Sequence, residues 1–193
     1  MMATPERRQA AILYTELRNF TRLSEALVPE KVLQLVAEFF TLASKVMTSN
    51  GGRVVCVHND ALLVVFVGDN ATQYTAQALK AAQEVQRSFA PIGERWKTEF
   101  GLAAAASGGL HVGEVVLGII GQTPVALGDA VSLAERMVHR ARAGEIVMSL
   151  ELMKGLGAAV QKLPANELPP LELAKRPPIP IYGMVVEDRL DFT

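Results

Sequence analysis

The order in which the chain switches between strand-like and helix-like apolar spacing is the sequence feature that most limits its fold. Residues 10–17 form a short, almost continuous apolar run, which is typical of a buried strand. Residues 30–47 instead repeat apolar side chains at helical spacing. The later segments predict a hairpin over 53–57 and 61–67, a helix over 71–89, two glycine-broken strands within 101–121, a helix over 129–141 and a strand over 145–149.

This β-α-β-β-α-β order predicts an α/β (α+β) fold with a ferredoxin-like βαββαβ core and a C-terminal extension. The extension begins with the Pro-rich residues 161–175 and closes with residues 179–186, which we expect to form an edge strand because Pro180 has no N–H to donate. The polar start of the chain contains Pro5. The predicted division is therefore a flexible N-terminal arm over 1–9, one folded domain over 10–186 and a C-terminal tail over 187–193.

Composition excludes several classes of protein. Half of the residues are hydrophobic, which is enough for a full core and excludes a disordered chain. Nineteen basic residues against twenty acidic ones give a net charge of -1, so the sequence gives no support for a nucleic-acid or membrane-surface partner. The single Cys56 excludes a disulfide framework and a Cys-rich zinc site. No secretory signal or membrane-spanning run is visible, and we expect a cytoplasmic location.

Two acidic residues stand at informative places in this predicted fold. Glu16 lies at the end of the first strand, and Asp60 lies in the turn of the hairpin. A ferredoxin-like sheet puts the first strand beside the hairpin, so the two carboxylates are expected at one edge of the sheet. Paired carboxylates of this kind hold Mg²⁺ or Mn²⁺ against a phosphate. On spacing alone, two solvated acids in loops are the more frequent explanation.

The residues around these acids resemble a known family. Residues 13–21, Leu-Tyr-Thr-Glu-Leu-Arg-Asn-Phe-Thr, are similar to the opening motif of class III adenylate/guanylate cyclase catalytic domains, in which an Asp usually stands at the position of Glu16. Residues 51–66 resemble the hairpin of that family, with Asp60 as the second metal ligand. Further blocks follow in the family's order at 110–118, 128–137, 143–149 and 179–182. The resemblance extends from about residue 10 to residue 186.

The resemblance implies a concrete set of properties. Domains of this family have a fold of the polymerase-palm type and work as head-to-tail dimers, with active sites at the interface. One chain supplies two carboxylates for two metal ions, Mg²⁺ or Mn²⁺. The partner chain supplies the residues that recognise the base, together with an Asn and an Arg. The product is a 3′,5′-cyclic nucleotide used in intracellular signal transduction, formed with pyrophosphate from a nucleoside triphosphate.

Several positions of this chain depart from the family pattern. The two base-reading positions, usually Lys and then Asp or Thr, fall on Cys56 and Val125. The Asn position falls on Ser132, whereas Arg136 matches the transition-state Arg. The phosphate-binding Lys of the family aligns with Lys175. The hairpin that ends at residue 128 is also about four residues shorter than usual, which puts the dimer geometry in doubt.

These departures leave the enzymatic activity open and favour an impaired domain that serves in dimerisation or in binding a ligand or partner. The alternative is a divergent, active cyclase in which Glu16 and Asp60 hold metal and Arg136 stabilises the transition state; Arg136 is equally well explained as a surface ion-pairing residue. A third hypothesis is one half of a heterodimer with another cyclase-type domain. Bound Mg²⁺ or Mn²⁺ is expected if the domain is active, and no cofactor if it is degenerate. An RNA-binding ferredoxin-like domain is the weakest explanation, because no aromatic pair or basic stripe is present.

Overall fold

The computed structural model describes residues 5–186, in which the predicted β-α-β-β-α-β order is present together with two strands, β5 and β7, that were not predicted. The strands are β1 (Glu6–Arg18), β2 (Arg53–His58), β3 (Ala61–Phe66), β4 (Ala105–Ile120), β5 (Thr123–Leu127), β6 (Glu145–Ser149), β7 (Asn166–Leu171) and β8 (Ile179–Val185). The helices are α1 (Phe20–Ala26), α2 (Pro29–Ser49), α3 (Ala71–Phe100), α4 (Asp129–Arg140) and α5 (Leu150–Gly155), followed by a 3₁₀ helix (Gly157–Lys162).

One mixed sheet joins these strands in the order β2-β3-β1-β4-β6-β8-β7, and β5 pairs with β4 beside this path. β4 and β6 run parallel, whereas the other neighbours are antiparallel. This arrangement confirms the α/β fold with a ferredoxin-like core. Within residues 5–186, none of the helices combines the length and hydrophobicity needed to span a bilayer.

The two faces of the sheet are covered differently. α2 and α3 pack on one face around large buried side chains such as Phe39, Phe89 and Trp96. α4 covers the other face and lies very close to β4, since a Cβ at Gly109 would collide with the backbone of α4. Side chains alternate between the two faces along each strand, so every second residue of β1 faces the α4 side.

Two sequence predictions about strands need correction. The glycines within 101–121 do not break the chain into two strands, because Gly109 and Gly113 make room for α4 inside one continuous strand, β4. The closing strand β8 is not an edge strand, because β6 and β7 pair with its two sides and Pro180 lies at an irregularity of the β7 pairing. The Pro-rich segment supplies the edge strand β7 instead.

Two predicted boundaries also differ. Residues 6–9 are not part of a loose arm, because β1 begins at Glu6 and pairs with the β4 segment that ends at Leu117. α3 continues past the predicted end at residue 89 and past Pro91, because Gly93 and Trp96 remain buried against the sheet. Residues 1–4 of the predicted arm and the predicted tail over 187–193 lie outside the described residues.

Candidate active site

The sheet brings the two predicted metal ligands together. Glu16 pairs in register with Ala61, the residue that follows Asp60. The Leu17 N–H donates a 2.8 Å hydrogen bond to the Asp60 carbonyl, which holds the hairpin turn against the end of β1. The negative charge of Asp60 is also close enough to help raise the pKa of Glu16. The juxtaposition predicted from the topology is therefore present.

The Glu16 carboxylate is buried and already engaged by two basic side chains. Glu16 is 7% exposed and lies on the α4 face. Its Oε1 lies 3.0 Å from Nη1 of Arg18, and its Oε2 lies 3.6 Å from Nε2 of His139. Burial raises the pKa of Glu16, the charges of Arg18 and His139 oppose that rise, and Asp60 adds to it. The carboxylate is thus neutralised within its own chain.

Arg18 is itself fixed by further contacts. Its guanidinium donates to Ser107 Oγ at 3.0 Å, to the Val138 carbonyl at 2.5 Å and to the Ala141 carbonyl. Val138 and Ala141 end α4, where unpaired carbonyls and the helix dipole favour a cation. Arg18 therefore fastens the end of β1 that carries Glu16 to the end of α4, and it orients Glu16.

An exposed stripe of α4 carries the residues expected for the ribose and phosphate. Ser132, Arg136 and His139 follow one another at helical spacing and are exposed. Among residues 5–186, Arg136 forms no ion pair within 4.0 Å, so its guanidinium is available to a ligand. His139 was not predicted as a site residue. Its position three residues after Arg136 places both side chains on one face of the helix, and the sequence alone could have shown this.

The two predicted base-reading positions lie on neighbouring elements. Cys56 is on β2 just after a bulge at Val55, and Val125 is on β5, which contacts β2. Burial, with a contribution from the charge of Glu135, raises the pKa of the Cys56 thiol, which therefore remains protonated at neutral pH. Neither Cys56 nor Val125 offers the strong hydrogen-bonding group that the family pattern carries there.

Lys175 lies away from Glu16. It is exposed in the loop between β7 and β8, next to Arg176, whose guanidinium binds both carboxylate oxygens of Asp129 at 2.8 and 2.9 Å. This pair fastens the loop to the first residue of α4, whereas Glu16 contacts His139 near the other end. Ten helical residues separate these ends, which is about 15 Å. One chain therefore does not bring Lys175 and the two carboxylates together.

The donor chemistry of Glu16 and Asp60 suits a hard divalent cation, but their arrangement does not fit one as it stands. Oxygen ligands are present, yet Glu16 is engaged by Arg18 and His139. The part of the chain that the structure describes contains no group of three His, Cys, Asp or Glu side chains that could hold a metal ion. A metal ion at Glu16 therefore either displaces these two basic side chains or binds beside them.

The β4–β5 hairpin is short and partly apolar. Ile120 pairs with Thr123, so only two residues form its loop, with Gly121 at a φ of 66°. Ile119, Ile120 and Leu127 on this hairpin are exposed, as is Val57 on the adjacent β2. Exposed apolar side chains on neighbouring elements are typical of a protein–protein contact surface.

Comparison with known proteins places this chain in a family. A family model described as the adenylate and guanylate cyclase catalytic domain matches residues 2–171. Adenylate cyclase 1 of Rhizobium meliloti (strain 1021) is 28% identical over 144 residues, which is 68% of this chain but 20% of that protein. The chain thus spans about a fifth of that relative.

Solved structures agree on the fold. The adenylyl cyclase CyaB from P. aeruginosa superposes with a TM-score of 0.86 at 20% identity, covering 99% of this chain and 100% of that one. The guanylyl cyclase Cya2 superposes with a TM-score of 0.81 at 25% identity, covering 94% and 93%. With its family match over most of its length and its palm-type fold, the chain belongs to the class III adenylate and guanylate cyclase catalytic domain family.

Proposed function

We propose that this domain binds a nucleoside triphosphate and pairs with a second cyclase-type domain, while its own conversion of nucleotide to cyclic product is strongly impaired. The observation that carries this proposal is the ion pair between Arg18 and Glu16 at 3.0 Å, with His139 on the second oxygen of the same carboxylate. A metal ion entering at this carboxylate competes with a cation that the fold already holds in place.

The competition is unfavourable for the metal because Arg18 cannot easily withdraw. Its other N–H groups are bound to Ser107 Oγ and to the Val138 and Ala141 carbonyls, so withdrawal breaks these three hydrogen bonds. A metal bound beside a retained Arg18 meets a like charge at short range. Either route weakens metal binding at Glu16 relative to a carboxylate that is free.

The substitutions on the other half of the site act in the same direction. Ser132 is too short to occupy the place of an Asn amide, and loss of one such oriented donor costs about 10²–10³ in turnover. Cys56 and Val125 replace polar base readers. Binding is less affected than turnover, because Arg136 is exposed and, within residues 5–186, has no competing ion pair.

Pairing with a second domain is supported by the exposed apolar side chains of the β4–β5 hairpin and β2. Ile120 is 65% exposed and Leu127 is 57% exposed. Within one chain, the loop of Lys175 lies at one end of α4 and Glu16 lies at the other. This separation also supports pairing, because a complete site needs the phosphate-binding lysine close to the two carboxylates. A homodimer is the simplest form of this pairing, and a heterodimer with another cyclase-type domain is the alternative form.

A divergent but active cyclase is the second candidate. It is favoured by the juxtaposition of Glu16 and Asp60 and by the retained Arg136. The relatives named above are an adenylate cyclase and solved adenylyl and guanylyl cyclases. In this candidate, Arg18 moves away from Glu16 when nucleotide and metal bind together.

The test is cyclic nucleotide production by the purified protein with Mn²⁺ and either ATP or GTP, compared with Asp60→Ala. We expect no product above that of the variant, together with measurable binding of nucleotide to folded protein. Product that is lost in Asp60→Ala contradicts impairment and establishes the second candidate. Restoration of product by an added cyclase-type domain identifies the heterodimer instead.

A further inference from the structure

A cavity of about 430 Å³ lies between α3 and the residues that start β4. Pockets that bind small molecules have volumes of about 300–1,000 Å³. The candidate active site is on the α4 face of the sheet, so this cavity, called the α3 cavity below, is separate from it. Its lining includes Gln86, Phe89, Ala90 and Pro91 of α3, the alanines at 104–106, and Gly144 of the turn that precedes β6.

The walls of the α3 cavity are apolar and carry no net charge. Phe89 and the alanines at 104–106 are buried. The charged side chains among the described lining residues are those of Arg87 and Glu94, which are exposed and have opposite signs. Burial of a charged group in such surroundings is unfavourable unless the charge is paired. The lining therefore favours a neutral, largely apolar ligand.

Gln86 brings an unpaired polar atom into this apolar lining. The residue is 8% exposed, and its Oε1 is buried and accepts no hydrogen bond within residues 5–186. Its Nε2 donates to the Ala106 carbonyl at 3.4 Å, and the same carbonyl accepts a 3.1 Å hydrogen bond from the Gly144 N–H. A bond of 3.4 Å is long, so the amide can turn toward the cavity at little cost. Because buried polar atoms are nearly always paired, Oε1 is a place where a ligand donor is missing.

Pro91 adds a second acceptor of the same kind. Proline has no N–H, so residue 91 cannot donate the usual helical hydrogen bond to the carbonyl of Arg87, four residues earlier. Arg87 and Pro91 both line the cavity. An amide oxygen and a backbone carbonyl only accept hydrogen bonds. Both polar groups of the lining that lack a donor thus call for an N–H or O–H group from a ligand.

From these observations we propose that the α3 cavity is a second binding site, which takes a small, neutral, largely apolar molecule carrying an N–H or O–H donor. The donor pairs with Gln86 Oε1, and the apolar body of the molecule packs against Phe89 and the alanines at 104–106. Glu16, Asp60 and Arg136 are not among the described lining residues. The inference therefore does not depend on the nucleotide binding proposed above.

Titration of the isotope-labelled full chain with indole and with N-methylindole, followed by NMR, tests the proposal. The two probes share one apolar ring system, and only indole has an N–H donor. We expect indole to shift the resonances of the Gln86 side-chain amide and of the Gly144 N–H. We expect N-methylindole to bind about fivefold to tenfold more weakly, because it cannot donate to Oε1.

Variants of α3 separate the acceptor from the cavity. Gln86→Leu removes the acceptor, so indole and N-methylindole are expected to bind it equally well. Ala90→Leu puts a larger side chain into the cavity from its partly buried wall and is expected to exclude both probes. Gln83→Leu is the matched control, since Gln83 is also partly buried on α3 but is not among the lining residues. The control is expected to keep the preference for indole.

The melting temperature without any probe gives a readout that separates a ligand acceptor from a structural amide. Gln86→Leu removes a buried acceptor that has no partner within residues 5–186, together with one long hydrogen bond. Its melting temperature is therefore expected to equal or exceed that of the unaltered chain. A structural amide predicts a lower melting temperature in this variant.

Each unfavourable result overturns a stated part of the proposal. Absence of indole binding to the folded chain, or binding that persists in Ala90→Leu, shows that the α3 cavity is not the site. Equal affinity of the unaltered chain for the two probes, or a lower melting temperature in Gln86→Leu, overturns the assignment of Gln86 as the ligand acceptor. If Ala90→Leu does not fold, the comparison of Gln86→Leu with Gln83→Leu decides the proposal. None of these results bears on nucleotide binding, so the two proposals fail separately.

Discussion

The two faces of the sheet differ in what their side chains do. The face under α2 and α3 is packed with aromatic rings, including Phe89 between Phe39 and Trp96 at centroid distances of 5.2 Å. The face under α4 has a smaller apolar cluster, and Tyr14 and Cys56 on it are only partly buried. Most of the hydrophobic core lies on the first face. We therefore expect partly buried positions on the second face to tolerate substitution without loss of the fold. We infer that this difference lets Cys56 stand where the family pattern has a Lys while the fold is kept.

Arg18 is the point at which the second face still contributes to stability. It joins the end of β1 to the end of α4 through Glu16, Ser107 and two helix carbonyls. The same side chain therefore links β1 to α4 and engages the carboxylate that is predicted to bind a metal ion. This double role means that a gain in metal binding at Glu16 comes with a loss of stability.

Replacing one aromatic residue on each face gives the largest expected contrast. Phe89→Ala leaves a cavity among buried rings and is expected to lower the free energy of unfolding by about 3–5 kcal/mol. Tyr14→Ala, on the α4 face, removes a half-buried ring and is expected to cost about 2 kcal/mol. Urea denaturation followed by circular dichroism measures both changes. An equal loss of unfolding free energy in the two variants would contradict the expected difference between the two faces.

Removing Arg18 tests its double role. Arg18→Met keeps the aliphatic length but leaves the Glu16 carboxylate and the last carbonyls of α4 without this donor, and it is expected to cost about 2–3 kcal/mol of unfolding free energy. The affinity for Mn²⁺, measured by calorimetry on the folded fraction, is expected to rise. Arg22→Met, at an exposed position on α1, is the control. Unchanged stability in Arg18→Met would show that these contacts are not structural.

The smallest expected effect is a pH dependence from Glu16. Burial raises its pKa in the folded chain above the ordinary value of 4.5, so the folded state holds this proton more tightly than the unfolded state. The associated stability is fully present below the unfolded pKa and is lost as pH rises through the folded pKa. Glu16→Gln mimics the protonated form and removes this loss.

Thermal denaturation of the Glu16→Gln variant and the unaltered chain across pH measures this effect. The melting temperature of Glu16→Gln relative to the unaltered chain should increase between about pH 4 and about pH 7. Glu167→Gln, which changes an exposed carboxylate, serves as the control. A difference that stays constant with pH, or that falls, contradicts a raised pKa at Glu16.

The predictable part of the site was the part that depends on strand order. Glu16 and Asp60 were expected at one edge because the topology puts β1 beside the hairpin, and the register bears this out. Strand positions were less predictable where packing overrides local preference. The glycines of β4 suggested breaks, yet Gly109 serves the close approach of α4, and Pro180 suggested an edge that β7 occupies instead.

The sequence by itself determined the family, the order of the elements and the positions that depart from the pattern, because these are properties of residue type and spacing along one chain. Only the tertiary structure decided that Arg18 and His139 engage Glu16, and that the charge of Glu135 acts on Tyr14 and Cys56. Those contacts depend on how far α4 sits along β1. Gly109 avoids a collision with the α4 backbone and Gly113 avoids one with the Ala130 Cβ, and these close approaches across the sheet are not encoded by any local spacing in the sequence.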